Sequence, residues 1–320
     1  MTDKSVCAVI VTYHPGTPAL TNIAKVREQV RKLVVVDNGS SADELNPLRM
    51  ASNNGGYELI ENSENRGIAE ALNQGVRWAT SQGYPWVILF DQDSTITGGF
   101  VEHMFAAWES HPDRERVASI HPRYVDPNSG LEPRVRRMKD GAPVVSMTSG
   151  SLLPAWIFDR IGWFASEYFI DCVDLEYCLR IRAAGYLIAD SKQAVLLHAA
   201  GHASRNVGFL RFDFRPTNHD AVRRYYIARN RLVLYRKYCP IFPRWMAKSM
   251  YDYSRETIKC FVGEQDRARK FRNFLLGTWD GLIGKMGRRE GLCKIILATS
   301  AIKKLIPGKS STSKLPPHRG

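Results

Sequence analysis

Asp91 and Asp93 stand one residue apart where the apolar run Val87-Ile88-Leu89-Phe90 gives way to Asp91-Gln92-Asp93-Ser94. A short unbroken apolar run bounded by polar residues reads as a buried strand. Ligands of open α/β sheets collect beyond the carboxyl ends of such strands. Two carboxylates at i and i+2, on a strand end that turns outward, can reach one hard cation and a neighbouring sugar hydroxyl. Mg2+ and Mn2+ take oxygen ligands and are commonly completed by substrate phosphates. The stretch therefore predicts a metal-assisted site for a diphosphate-bearing substrate, with a solvated Asp-Gln-Asp turn as the alternative. A second acidic centre, holding Asp171, Asp174 and Glu176, lies between Tyr168 and Arg180. Leu175, Leu179 and Ala183 share a helical face, which starts that helix near Asp174. An aspartate there can cap the helix, and the helix dipole keeps it ionised, as a general base must be.

The surrounding pattern must position these acids. Val6 to Val11 is an apolar strand ending in a Pro15-Gly16 loop. A helix follows over Thr17 to Gln29, then a strand Leu33 to Val36 that ends at Asp37 and a Gly39-Ser40 turn. A helix and a short strand at Tyr57 to Glu61 come next. A loop at Asn65-Arg66-Gly67 opens a helix reaching about Ser81, ahead of the strand to Phe90. Residues 100–111 read as helical, and 121–145 as an irregular excursion over the substrate. Short strands at Tyr186 to Ala189 and Val195 to Leu197 bring the chain to His198. Alternating strand and helix predict a doubly wound, mostly parallel sheet. A dinucleotide enzyme would need G-x-G-x-x-G after its first strand. Tyr13-His14-Pro15-Gly16 stands there instead, and no GxSxG elbow supports a hydrolase.

In this order, seven segments resemble the family 2 inverting glycosyltransferases with a GT-A fold. They are Val9 to Tyr13, Val36 to Ser40, Asn65 to Ala69, Asp91 to Ser94, Ser149 to Ser151, Phe169 to Glu176 and Arg224 to Asn230. The fourth, sixth and seventh are most similar to bacterial rhamnosyltransferases that use dTDP-L-rhamnose. The resemblance implies that Thr12, Tyr13 and Asp37 hold the nucleobase, with Asp37 accepting from the pyrimidine N3–H. Asn65, Arg66 and Gly67 would line the nucleotide and diphosphate, and Asp91 the ribose or donor sugar. Asp93 would bind Mg2+ or Mn2+, with His198 at a metal-side position or satisfied as a strand-end histidine. Asp174 aligns with the family's base, with Asp171 and Glu176 as rivals. Arg229 looks like the family's late arginine near the diphosphate, whereas Arg231 and Arg236 read as solvated helix arginines. Ser149, Gly150 and Ser151 would meet the acceptor, or form a bland turn. Many members carry Glu-Asp-x-Asp on the acidic helix; here Val173 precedes Asp174.

Charge divides the chain. Residues 221–320 hold 23 Lys+Arg against 6 Asp+Glu, while residues 1–220 hold 22 against 26. Such asymmetry suggests an anionic partner for the C-terminal third. Nucleic acid is disfavoured because no zinc finger, RRM or helix-turn-helix signature is present. The sequence from Leu292 to Ile306 predicts a basic amphipathic helix suited to an anionic membrane. No run of about 18 apolar residues predicts a membrane span, and no leader is expected at the N-terminus. The six cysteines lack C-x-x-C pairing and read as reduced thiols of a cytosolic protein. The reading is a GT-A domain over 1–230, a basic helical extension over 231–306 and a disordered tail over 307–320. Function follows as cytoplasmic, membrane-peripheral transfer of L-rhamnose to a saccharide or lipid-linked glycan of the cell surface. The alternatives are a UDP- or GDP-sugar donor, or a basic binding module without catalysis.

Overall fold

The computed structural model describes residues 5–132, 137, 141, 143–198, 207–209, 212–214 and 219–292. Three apolar strands, β1 (Val6–Thr12), β2 (Lys32–Asp37) and β4 (Trp86–Asp91), lie side by side in parallel. With β3 (Glu58–Glu61), β5 (Thr95–Ile96), β6 (Val117–Val125), β7 (Leu152–Pro154) and β8 (Leu187–Leu197) they form an eight-stranded sheet. Its order is β3-β2-β1-β4-β7-β6-β8-β5. β7 runs antiparallel between β4 and β6, and β5 runs antiparallel at the edge. The expected mixed, mostly parallel sheet is present.

Both faces are covered, which explains why the central strands are apolar without alternation. Val9, Val11, Val34, Val36, Val87 and Leu89 face α3 (Ile68–Ser81), α6 (Val173–Ala183) and α7 (Ala221–Tyr238). Their neighbours Ala8, Ile10, Leu33, Val35, Ile88 and Phe90 face α1 (Thr17–Arg27), α2 (Ala42–Asn53) and α4 (Phe100–Glu109). The register then does the positioning: Thr12 lies opposite Asp37, and Val11 opposite Asp91. Three strands deliver their last residues to one edge.

Two expectations fail. Residues 121–125 of the supposed excursion belong to a nine-residue strand, β6, whose register shifts between His121 and Arg123. Pro122 sits at that irregularity, where a strand tolerates a residue without an N–H. The two short strands expected from Tyr186 to Leu197 are one continuous strand. Its polar middle escapes the apolar pattern because Ser191 donates to His103 O at 3.1 Å and accepts from Ala194 N.

The C-terminal third is helical from Ala221, as expected: α7 is followed by α8 (Pro243–Gly263) and α9 (Arg267–Leu282). A two-stranded hairpin, β9 (Val207–Phe209) with β10 (Phe212–Phe214), precedes them. The helix expected over 292–306, apart from Leu292, and the tail over 307–320 lie outside the described residues. By contacts, residues 1–288 form one unit and 289–320 another. Among the described residues no helix is long and apolar enough to cross a membrane.

Helices α7 and α9 pack backbone to backbone. A methyl group on Gly277 would lie 2.2 Å from Tyr225 O, and one on Gly281 2.8 Å from Arg229 O. Gly277→Ala should therefore destabilise the fold by about 1–3 kcal/mol through overpacking, against a helix-propensity gain of about 1 kcal/mol. Thermal unfolding checks this; an unchanged or raised Tm would mean the helices are not in close contact there.

Candidate active site

The parallel register gathers polar groups at the carboxyl edge of β2, β1 and β4. Thr12 Oγ1 donates to Asp37 Oδ1 at 3.0 Å. Asp37 also accepts from Ser40 Oγ, Ser40 N and Gly39 N at 2.6, 2.8 and 3.1 Å. It is fully buried, with both oxygens engaged by the protein's own donors. These four bonds shape the turn that follows β2. Asn38 continues the network: it accepts from Arg66 N at 3.0 Å and donates to Asn65 Oδ1 at 3.2 Å. Asn65 in turn accepts from Gly67 N at 2.9 Å. Gly67 has φ +87°, and a Cβ there would meet Phe169 O at 2.6 Å. Only glycine allows this close approach.

These groups enclose a cavity of about 190 Å³ lined by Thr12, Tyr13, Asn38, Asn65, Gly67 and Asp91, among others. Tyr13 is 43% exposed at its mouth. Arg66 is exposed and enters the network through its backbone. Gln92, between the two aspartates, clamps the end of β1 by accepting from Tyr13 N at 2.9 Å and donating to Tyr13 O at 3.1 Å.

Asp91, Asp93 and His198 offer ligand atoms that all lie within 4.8 Å of one another. His198 Nδ1 is 3.6 Å from Asp93 Oδ1 and 3.3 Å from Ser94 Oγ. Burial, and then the adjacent Asp93 charge, push the Asp91 carboxyl up to about 6. A cation bound among these three groups would offset the repulsion of the two carboxylates. Their oxygen and nitrogen donors suit Mn2+ or Mg2+. Ser149 is buried beneath them, accepting from Asp91 N at 3.0 Å and lying 2.7 Å from Ser94 Oγ. Gly150 bonds Leu89 O, and Ser151 Oγ donates to Thr148 O at 2.6 Å. The three residues expected at the acceptor instead support the acidic turn from below.

A larger cavity of about 650 Å³ opens beyond His198, lined also by Asp171, Asp174, His219, Arg231 and Trp245. Asp174 occupies the first turn of α6, half-buried, with its Oδ1 accepting from Leu175 N at 2.7 Å. Burial raises its pKa, and the Asp171 charge adds to the rise. Asp171 is paired with Arg223, at 3.0 Å between Arg223 Nη2 and Asp171 Oδ1. Glu176, the third carboxylate considered, points away. It is fully buried and bound by Arg180 at 2.5 Å, Lys237 at 2.8 Å and Tyr238 Oη at 2.9 Å. Burial alone would raise its pKa, but Arg180 and Lys237 hold it below the ordinary carboxylate range.

Arg229 also lies elsewhere than expected. It is fully buried, donating to Tyr168 O at 3.0 Å, Glu167 O at 3.2 Å and Gly287 O, with Tyr225 and Tyr226 against its guanidinium. Arg231, read as solvated, lines the large cavity and donates to Tyr235 Oη and Ser249 Oγ, both at 3.3 Å. Arg223, which the sequence marks only as one of many basic residues of this third, is the arginine that pairs with Asp171. Its signal was available: Arg223, Ile227 and Arg231 recur at four-residue intervals, which puts them on one side of α7.

Residues 7–162 match the glycosyl transferase family 2 model. The chain is 28% identical over 305 residues to the dTDP-rhamnosyl transferase RfbF of Shigella flexneri, covering 89% of this chain and 98% of that protein. It also resembles the mannosyltransferase PcManGT of Pyrobaculum calidifontis, solved with GDP-Man and Mn2+. That likeness has a TM-score of 0.54 and 17% identity, and covers 95% of this chain and 81% of that one. GalNAc-T7, solved with UDP, GalNAc and Mn2+, gives a TM-score of 0.56 at 13% identity, over 92% of this chain and 57% of that one. Family match and fold likeness agree: residues 7–162 match a family 2 glycosyl transferase domain, and the fold over most of the chain is that of GT-A glycosyltransferases.

Proposed function

We propose that the protein transfers L-rhamnose from dTDP-L-rhamnose to a saccharide or lipid-linked glycan acceptor, with inversion at the anomeric carbon. One observation carries the reading. The Asp91, Asp93 and His198 group joins a small cavity, lined by Asp91, to a large one, lined by His198 and Asp174. A donor can lie with its nucleotide in the first and its sugar facing the second. The likeness to a dTDP-rhamnosyl transferase over most of the chain supports this donor over UDP- or GDP-sugars.

In the proposed reaction Thr12, Tyr13, Asn65 and Gly67 cradle the nucleotide and Asp37 fixes their turn. A divalent cation held by Asp91, Asp93 and His198 would place positive charge on the leaving diphosphate. Arg223 adds a second positive charge at the same edge, the part first expected of Arg229. Asp174 accepts the proton of the acceptor hydroxyl as that oxygen attacks the anomeric carbon from the face opposite the diphosphate. The anomeric C–O bond breaks, its electron pair leaves on the diphosphate, and a β-linked donor yields an α-rhamnoside. Asp171 is a positioning residue that holds Arg223. We place the acceptor in the large cavity, beside Asp174 and Trp245, and the protein at the inner face of an anionic membrane.

A thermal-shift panel of nucleotide sugars with and without Mn2+ or Mg2+ tests the donor. Binding to the folded state alone stabilises it by about 2.7 kcal/mol at a hundred times Kd. The largest metal-dependent shift should come from dTDP-rhamnose. A larger shift with UDP- or GDP-sugars would replace the donor, and no turnover of any donor would favour the non-catalytic binding module.

Asp174→Asn should lower kcat by about 10²–10⁴-fold while leaving the donor-induced shift intact. Asp174 faces Asp171 beside it, Arg223 and Arg231 on α7, and Asp91 at the end of β4. A base works deprotonated, so its raised pKa places the acid limb of the kcat profile above the ordinary aspartate value of about 3.9. A profile that stays flat down to that value would remove Asp174 from the role.

The two arginines should separate cleanly. Arg223→Ala should weaken donor binding by roughly 1.5–3 kcal/mol, as expected for a lost bond to a charged group, with little change in Tm. Arg229→Ala should instead lower Tm, since each buried carbonyl left unbonded costs about 1–3 kcal/mol. Calorimetric titration and unfolding of both variants decide the assignment; the reverse pattern would restore Arg229 to the diphosphate.

A further inference from the structure

Among the described residues, the GxxxG face of α9 leaves the opposite side of the helix uncovered. Gly277 and Gly281 press against α7, with Asn273 and Asp280 buried beside them. That orientation turns Phe271, Leu275, Trp279 and Leu282 outward, at intervals of four, four and three residues. They are 49%, 50%, 62% and 54% exposed, and Ile283 at the helix end is 58% exposed. Scattered surface apolar residues are ordinary, but a contiguous stripe of large ones marks a contact surface. On α8, Tyr251 and Ile258 are both 62% exposed and seven residues apart, hence on one side of that helix.

The charge around the stripe says what it fits. Arg267, Arg272 and Lys285 are exposed on or beside α9, and Arg244 and Lys248 on α8. Two of the few acids of this region are withdrawn from the surface. Glu264 is buried between Arg224 at 2.8 Å and Lys270 at 2.7 Å. Asp280 is buried and accepts from Tyr225 Oη at 2.5 Å. What remains is an apolar stripe carrying a tryptophan, with exposed cations on or beside α9 outnumbering the exposed Asp266 at the helix start. A helix with this division lies in the headgroup region of an anionic bilayer, apolar side inward. A second copy of the chain fits less well, because a two-fold pairing of this face would bring like charges together.

We infer that the outer face of α9, with Phe271, Leu275, Trp279 and Leu282 at its centre, docks the protein on an anionic lipid surface. The inference rests on the proposed membrane setting but not on the sugar chemistry. Vesicle sedimentation reads docking without transfer, so either reading can fail alone.

The test uses the full chain with phosphatidylcholine vesicles, pure or containing about three in ten phosphatidylglycerol. Binding should require the anionic lipid and fall at least about ten-fold in roughly 0.5 M NaCl. Leu275→Ser with Trp279→Ser should lower the vesicle-bound fraction at least about ten-fold, and so should Arg272→Glu with Lys285→Glu. Circular dichroism checks that both remain folded; if the apolar pair unfolds, the charge pair, at exposed positions, still answers. Equal binding to neutral vesicles, no binding, or wild-type binding by the folded variants would overturn the inference. So would a dimer, seen by light scattering, that the Leu275 and Trp279 substitutions make monomeric.

Discussion

The geometry of the site depends on a polar clamp at one short loop. Asn230 is fully buried, and its amide donates to Tyr168 O at 3.0 Å and to Ile170 O and Asp171 O, both at 2.8 Å. Arg229, next to it, binds Glu167 O and Tyr168 O. The loop needs such a hold because Phe169, Asp171 and Cys172 all have φ near +65°. Conformations of this kind cost about 1–3 kcal/mol each for non-glycine residues and persist only when the surroundings over-determine them. The loop then serves both cavities. Phe169 O accepts from Ile68 N at 2.8 Å beside Gly67, while Asp171 and the first turn of α6 carry acids to the larger cavity. A buried guanidinium and a buried amide are thus spent on the backbone that sets where Asp174 stands.

This explains which parts of the chain could be read beforehand. The order β1, β2, β4 and the acids at their ends follow from apolar runs that stop at polar residues. That pattern is local and survives in the sequence. Asp93 and Asp174 also lie where local rules put them, one past a strand and one in a helix's first turn. β6 hid because Pro122 marks it as irregular, and only the neighbouring strands show that it sits at a register shift. The arginines of α7 hid for another reason. Arg223, Arg229 and Arg231 are alike in type, and only the packing of α7 decides which meets Asp171, which faces carbonyls and which lines the cavity. Glu176 is the same case: it lies two residues from Asp174, which on a helix turns it to another side and into the grip of Arg180 and Lys237.

The basic surplus of the C-terminal third divides by packing too. Arg224 and Lys270 enclose Glu264, Lys237 reaches Glu176, and Arg229 binds carbonyls. These cations tie the helices together and to the rest of the fold, and Arg224, Arg229 and Lys270 are buried away from any partner. The summed charge therefore overstates the field outside the protein, and what matters is which cations stay exposed. They include Arg267, Arg272 and Lys285, beside the same stripe that α9's glycines turn outward.

The two aspartates of Asp91-Gln92-Asp93 are unequal, and the structure accounts for the difference. Asp91 is fixed: its N–H is bonded to Ser149, and its strand is held on both sides by β1 and β7. Asp93 is 62% exposed, with His198 near it but outside hydrogen-bond distance. Between them, Gln92 spends its whole amide on the Tyr13 backbone, tying the turn to the end of β1. One aspartate has its backbone set in place before any ligand arrives, while the other stays close to water and can adjust its rotamer. A rigid ligand beside an adaptable one suits a hard cation that must also accept oxygens from a diphosphate. The Ser149 turn beneath Asp91, far from the acceptor in role, is the support that makes the asymmetry possible.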